Sequence, residues 1–348
     1  MAIPYLKQNV HCLPSMLSPH PLLRLLADFG NSQILNAALE YKLFTVIHQG
    51  QRTPEDIALH AGTDPRATRI VLDGLIALAL VEKRQDRYRL TPISESFLVE
   101  GQSSYIGDFR HVIFSLWDGM AHLKETLKTG KPSGRLDTHE KLEVWEKIVV
   151  GILPIVRPVA ENLCDLLQIG KEKKGLRVLD IAGGSSIFGM TILTHDPSSE
   201  VTQLDWPNVN AIARRLNRER GLEGKIRFLD GEFRTHAVEE NHYDLVIASN
   251  FCRFESPQGN QELFRKVHRA LRPGGLFVIN DFLPNEERTG PTFVLRFSVY
   301  TLAHTPEGEC YTLSEYSGWL TGAGFSSVQA RGDIPGTLPG TTLVIAKK

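Results

Sequence analysis

Apolar side chains fall at helical spacing through the first third of the chain. Over 31–48, Ile34, Leu35, Ala38, Leu39, Leu43, Val46 and Ile47 recur three and four residues apart, which predicts an amphipathic helix. Thr53-Pro54-Glu55-Asp56 combines a hydroxyl N-cap, a proline in the first turn and two acids near the positive end of the helix dipole. Asp64-Pro65 repeats that signal and opens a helix through Leu78. Residues 80–91 alternate and reverse at Gln85-Asp86, the pattern of a hairpin. Three helices and a hairpin predict a winged-helix module over residues 1–102. Residues 103–168 read as a helical connector, with Phe109, Ile113, Leu116, Trp117, Met120, Leu123 and Leu127 at helical spacing. The loop Thr129–Gly134 breaks the pattern, which returns from Lys141 to Leu167.

From residue 176 the period changes. Leu176–Ile181, Glu200–Leu204, Ile226–Leu229, Tyr243–Ala248 and Leu276–Phe282 read as strands, with Val328–Ala330 and Thr342–Ala346 at the end. Helices are predicted over 187–195, 208–220 and 258–271. Such alternation predicts an α/β domain over 169–348, a parallel sheet with helices on both faces. Thr312-Leu313-Ser314-Glu315 is a capping box, and its helix stops at Gly322-Ala323-Gly324.

Composition removes several function classes. Hydrophobic residues are 42% and charged residues 23%, ordinary globular usage, so disorder is excluded. A net charge of −1 gives no basic footprint for nucleic acid or an anionic membrane. In the helix a DNA-binding winged helix would use, only Arg66 and Arg69 are basic, beside Asp64 and Asp73, and the rest is mostly apolar. Packing against another subunit is the better use of that module. No apolar run is long enough for a membrane helix, and Met1–Ser18 lacks a signal peptide's order, so a cytoplasmic location is expected. Cys12, Cys164, Cys252 and Cys310 lie far apart without a CxxC pair, and the histidines form no HxH or HxxxH pair. Neither a disulfide framework nor a metal site is signalled.

Candidate chemistry gathers at the carboxyl ends of the predicted strands. The first ends in Val178-Leu179-Asp180-Ile181-Ala182-Gly183-Gly184-Ser185-Ser186, where small residues let a nucleotide-like ligand approach the backbone. A turn built only for tight strand–helix packing reads the same way. Asp205, in Gln203-Leu204-Asp205-Trp206-Pro207, ends the second strand at the offset where an acid accepts from ribose hydroxyls. The third strand ends in Leu229-Asp230-Gly231-Glu232-Phe233 and the fourth at Ser249-Asn250-Phe251. Ser186, where a dinucleotide fingerprint needs its third glycine, disfavours an oxidoreductase.

Together with NQELFRKVHRALRPGG (260–275) and YTLSEYSGWLTGAGF (311–325), these segments make the chain resemble the S-adenosylmethionine-dependent small-molecule O-methyltransferases of plant phenolic and bacterial polyketide and pigment pathways. The resemblance implies a class I methyltransferase fold: a Rossmann-like seven-stranded sheet with an antiparallel last strand, behind an all-α winged-helix dimerisation domain. It implies a homodimer, with Leu35, Leu39, Leu72 and Leu75 as dimer contacts. It places Asp180, Ala182, Gly183 and Gly184 against the methionine and ribose of S-adenosylmethionine, and Asp205 on the ribose hydroxyls. Trp206, Asp230, Gly231, Glu232 and Phe233 would lie near the adenine, with Asn250 at the adjoining strand end. The product would be S-adenosylhomocysteine. A small-molecule substrate would sit among His111, Trp117, Met120, Arg296, Tyr300 and His304.

Two departures stand out. The family's GxGxG loop has Ala182 and Ser186 in place of its outer glycines, which Ala182 tolerates where φ stays negative. Where the family carries a general-base histidine, this chain has Arg253, which stays protonated and is a poor base. Arg253 is therefore expected to hold a carboxylate or stabilise an enolate, with an acceptor that ionises readily. Glu255, Asp281 and His304 are alternative bases. Two other readings stay open: an enzyme of this fold that has exchanged methyl transfer for a cyclisation or decarboxylation, and a winged-helix metabolite sensor.

Overall fold

The computed structural model describes residues 18–134 and 142–348. Cys12 and Lys141 lie outside the described residues. The backbone forms two compact units, divided between Gly107 and Asp108. Among the described residues no helix is long and apolar enough to cross a membrane.

The first unit holds helices His20–Ala27, Phe29–Glu40, Leu43–His48, Pro54–Ala61 and Pro65–Ala77, a hairpin of β1 (Val81–Arg84) and β2 (Arg87–Leu90), and helix Pro92–Phe97. Its caps are those read from the sequence. Thr53 Oγ1 accepts from the Asp56 N–H at 3.2 Å, and Asp64 Oδ1 accepts from the Ala67 N–H at 2.8 Å. Gln85 and Asp86 both take positive φ (49° and 56°), the geometry that matches a tight hairpin to strand twist. The single helix expected over 31–48 is instead two, because Lys42 turns left-handed (φ 52°) and re-aims the second segment. Leu39, Leu72 and Leu75 are buried in this unit's own core with Phe44, Ile47, Ile57 and Tyr88, and Leu35 packs against it. Leu39, Leu72 and Leu75 are therefore covered by their own chain, and only the half-buried Leu35 keeps surface for a partner. Periodicity marks a buried face without saying which chain buries it. Helix His20–Ala27 and the first residue of the next helix carry an exposed apolar face: Leu22, Leu23, Leu25, Leu26 and Phe29.

The second unit begins with helices Phe109–Ser115, Trp117–Ala121, Leu123–Thr129, Leu142–Gly151 and Leu153–Leu166. Its sheet comprises β3 (Arg177–Ile181), β4 (Glu200–Asp205), β5 (Ile226–Asp230), β6 (Tyr243–Ser249), β7 (Leu271–Phe282), β8 (Ser327–Arg331) and β9 (Thr341–Lys347). Their order is β5-β4-β3-β6-β7-β9-β8, with β3 to β7 parallel and β9 antiparallel to both neighbours. Alternate residues bury two cores. Leu179, Ile181, Val246, Ala248, Phe277 and Ile279 face helix Pro257–Ala270. Val178, Val201, Leu245, Ile247 and Val278 face helices Leu153–Leu166 and Ile187–His195. Burial on both faces explains why these strands read as near-continuous apolar runs.

β7 starts at Leu271 rather than Leu276. Tyr243 pairs with Leu271 and Leu245 with Leu276, so Arg272-Pro273-Gly274-Gly275 loops out inside the strand. The chain runs outward one way through β3, β4 and β5 and the other way through β6 and β7. The carboxyl ends separate at that reversal, where open α/β sheets hold their ligands.

Candidate active site

A cavity opens at this switch point, lined wholly from the second unit. Ala182, Gly183 and Gly184 after β3, Asp205 and Trp206 after β4, Gly231, Glu232 and Phe233 after β5, and Asn250 and Arg253 after β6 reach its wall. The turn after β3 is tightly wound. Ala182 has φ 52°, Gly184 57° and Ser186 67°. Ala182 thus occupies the left-handed region despite its methyl group, against the negative φ expected of it. A Cβ at Gly183 would lie 2.6 Å from Gln203 Oε1 and 2.8 Å from the Asp180 carboxylate, so only glycine fits there. Ser186 Oγ donates to Gln203 Oε1 at 2.5 Å, and Gln203 Nε2 donates to the Gly184 carbonyl at 3.2 Å, which locks the turn to β4.

Two carboxylates underlie the turn. Asp205 accepts from the backbone N–H groups of Gly184 (2.9 Å) and Trp206 (2.7 Å). Burial pushes its carboxyl up to about 6 against the pull of those two donors. Asp180 is fully buried behind the turn rather than on the cavity wall, and neither of its oxygens has a hydrogen-bond partner. Burial, helped by the nearby Asp205 charge, pushes its carboxyl up to about 8. One orphaned acid beside a second carboxylate under a small-residue cradle suits a ligand that is cationic and close to the backbone. S-adenosylmethionine carries an ammonium and a sulfonium centre, and the residues present fit it.

Residues 164–326 match the O-methyltransferase domain model, and residues 23–100 match the O-methyltransferase dimerisation domain. The chain belongs to the small-molecule O-methyltransferase family. One relative is 3-hydroxy-5-methyl-1-naphthoate 3-O-methyltransferase of Streptomyces sahachiroi, 26% identical over 322 residues, 91% of this chain and 92% of that protein. A solved candidate O-methyltransferase from Nostoc punctiforme PCC 73102 superposes with a TM-score of 0.88 at 28% identity, covering 96% of this chain and all of the other. Human N-acetylserotonin methyltransferase, solved with S-adenosylmethionine, shares the fold at 20% identity, TM-score 0.82, over 97% of this chain and 99% of that one. The protein is an S-adenosylmethionine-dependent methyltransferase acting on a small molecule.

The remaining predicted residues divide. Tyr300 and His304 line the cavity; His111, Trp117, Met120, Arg296 and Asp230 do not. Asp230 is exposed and held by Asn210 (2.8 Å) and Arg214 (3.1 Å). On helix Thr292–His304 the cavity face is Phe297, Tyr300, Thr301 and His304, and Arg296 points to solvent one step around. Trp117 is exposed on its short helix. From the connector, Phe109, Leu116, Trp145, Ile148 and Val149 reach the cavity. Trp145 meets Trp206 edge to face, centroids 5.9 Å apart. Phe282, missed as a strand end, also lines the wall.

None of the alternative bases is idle. Glu255 is bound by Arg234, whose Nε lies 3.0 Å from its Oε2, and Arg234 also holds Glu232. Asp281 accepts from Arg253 and from the Tyr316 hydroxyl. His304 Nδ1 meets the Tyr300 carbonyl at 2.8 Å, and its ring fills space where a Cβ on Gly119 would be 2.4 Å away.

Proposed function

We propose that the cavity divides the work of methyl transfer between its two ends. At the β3–β5 end, Ala182, Gly183, Gly184, Asp205, Trp206, Gly231, Glu232 and Phe233 hold S-adenosylmethionine, with Asp180 buried beneath them. Asp205 accepts from the ribose hydroxyls; Trp206 and Phe233 offer apolar surface for the adenine. When bound, this cofactor supplies a methyl group activated on sulfur and leaves as S-adenosylhomocysteine. At the other end Phe282, Phe297, Tyr300 and His304, together with the connector helices, hold the acceptor. A wall so rich in aromatic rings suits a flat aromatic acceptor bearing an acidic hydroxyl, of the hydroxynaphthoate kind named for the Streptomyces sahachiroi relative. The protein's contribution is then to align two reactants and exclude water.

The observation that carries this reading is the Asp180–Asp205 pair under the small-residue turn. Its test is calorimetric titration with S-adenosylhomocysteine. Asp205→Ala is expected to weaken binding by roughly tenfold or more, the loss of charge-assisted hydrogen bonds. Unchanged affinity would remove Asp205 from the cofactor site.

A further inference from the structure

Arg253, in the short turn Cys252–Phe254 after β6, is 3% exposed and lines the cavity. Its Nη1 donates to Asp281 Oδ1 at 2.6 Å and to Asn250 Oδ1 at 3.0 Å. Its backbone N–H donates to Asp281 Oδ2 at 3.0 Å, and the Tyr316 hydroxyl donates to that same oxygen at 3.1 Å. These contacts fix one edge of the side chain. The rings of Phe254, Phe282 and Phe297 stand 4.7, 5.0 and 4.9 Å from the guanidinium carbon. Nε is shielded from solvent and has no hydrogen-bond partner among the described residues.

A buried N–H without an acceptor is costly, and more so on a cation. Arg253 itself lines the cavity, so a ligand seated against it can supply the missing acceptor. The neighbouring acids do not compete for it: Glu255 and Glu232 are held by Arg234, and Asp281 already takes Nη1 and Tyr316. A guanidinium cannot remove a proton from a hydroxyl, but it can hold an oxygen that has already lost one.

We propose that Arg253 recognises an acidic oxygen on the methyl acceptor, which binds as its anion with its ring against Phe282 and Phe297; this rests on the methyltransferase reading above. The acceptor's proton is given up to solvent before binding. The oxygen keeps its electron pair for the new bond to the methyl carbon, the carbon–sulfur bond breaks with its electrons on sulfur, and no base is needed inside the cavity.

The test uses the full chain saturated with S-adenosylhomocysteine. It is titrated at neutral pH with 2,4-dinitro-1-naphthol, whose hydroxyl is ionised there, and with 1-naphthol, whose hydroxyl is not. The wild type is expected to prefer the ionised naphthol by roughly tenfold or more, and Arg253→Met to bring that preference to about one. Affinity for S-adenosylhomocysteine should stay within about twofold. Because Arg253→Met leaves Asp281 buried without its cation, the paired variant Arg253→Met/Asp281→Asn carries the same expectation if the single variant does not fold. Equal or absent binding of the two naphthalenes by the wild type overturns the proposal, as does a preference that survives in the variants. Failure to bind S-adenosylhomocysteine, read before any naphthalene is added, overturns the methyltransferase reading beneath it.

Discussion

At Ala182 the backbone leaves β3 through the left-handed region with a methyl group attached, a conformation that costs an L-residue about 1–2 kcal/mol. Ala182→Gly removes that strain and adds backbone entropy to the unfolded chain, which offsets part of the gain. The expected net is a stabilisation of about 0.5–1 kcal/mol, read from the urea midpoint; a loss would mean that the methyl group packs productively. Asp180 makes a different prediction. Its carboxyl is raised to about 8 in the folded chain from an ordinary 3.8, so between those values the native state holds a proton the unfolded state has released. The stability this gives is fully present at low pH and lost as pH rises through about 8. Asp180→Asn, which cannot titrate, should therefore flatten the fall in ligand-free melting temperature across that range. Identical pH slopes for variant and wild type would mean that Asp180 is solvated.

The elements show what the pattern of residues could carry. Caps at Thr53, Asp64 and Thr312, the Gln85-Asp86 reversal and the order of strands and helices were legible because each depends on a few neighbouring residues. The break at Lys42 was not, since nothing in its side chain demands positive φ; the surrounding packing imposes it. The loop-out within β7 was half legible: Pro273-Gly274-Gly275 announces irregularity but not that a strand continues on both sides. The cofactor turn was readable as a local string. The opposite wall was legible only in part, at Tyr300 and His304, because it is assembled from helices far apart in sequence. On helix Thr292–His304, Arg296 stands one position away from the face that Phe297 begins. Phe297→Ala is expected to cost about 3 kcal/mol of stability and to weaken acceptor binding, whereas Arg296→Ala stays within about 0.5 kcal/mol. Parallel melting and acceptor titration of the two variants distinguish the faces; equal effects would place Arg296 in the site.

For the whole molecule, the matched dimerisation domain and the exposed leucines of helix His20–Ala27 point to the same assembly. Leu26 alone is 75% exposed in the single chain, and a row of such side chains is costly to leave in water. We infer a homodimer through this face. Leu22→Asp/Leu26→Asp should shift the sedimenting species from dimer to monomer while the circular dichroism spectrum is kept; a dimer that persists would place the interface elsewhere. The sheet carries a consequence of another kind. β9 lies between β7 and β8, so β8 cannot join the sheet until the residues of β9 have been made. In a chain cut before β9, the edge of β7 and the hydrogen-bonding groups of β8 stay unpaired, open to pairing with another chain. Truncation just before Thr341 should therefore yield a species that aggregates, and a truncated chain that stays monomeric would mean that β7 and β8 are covered some other way.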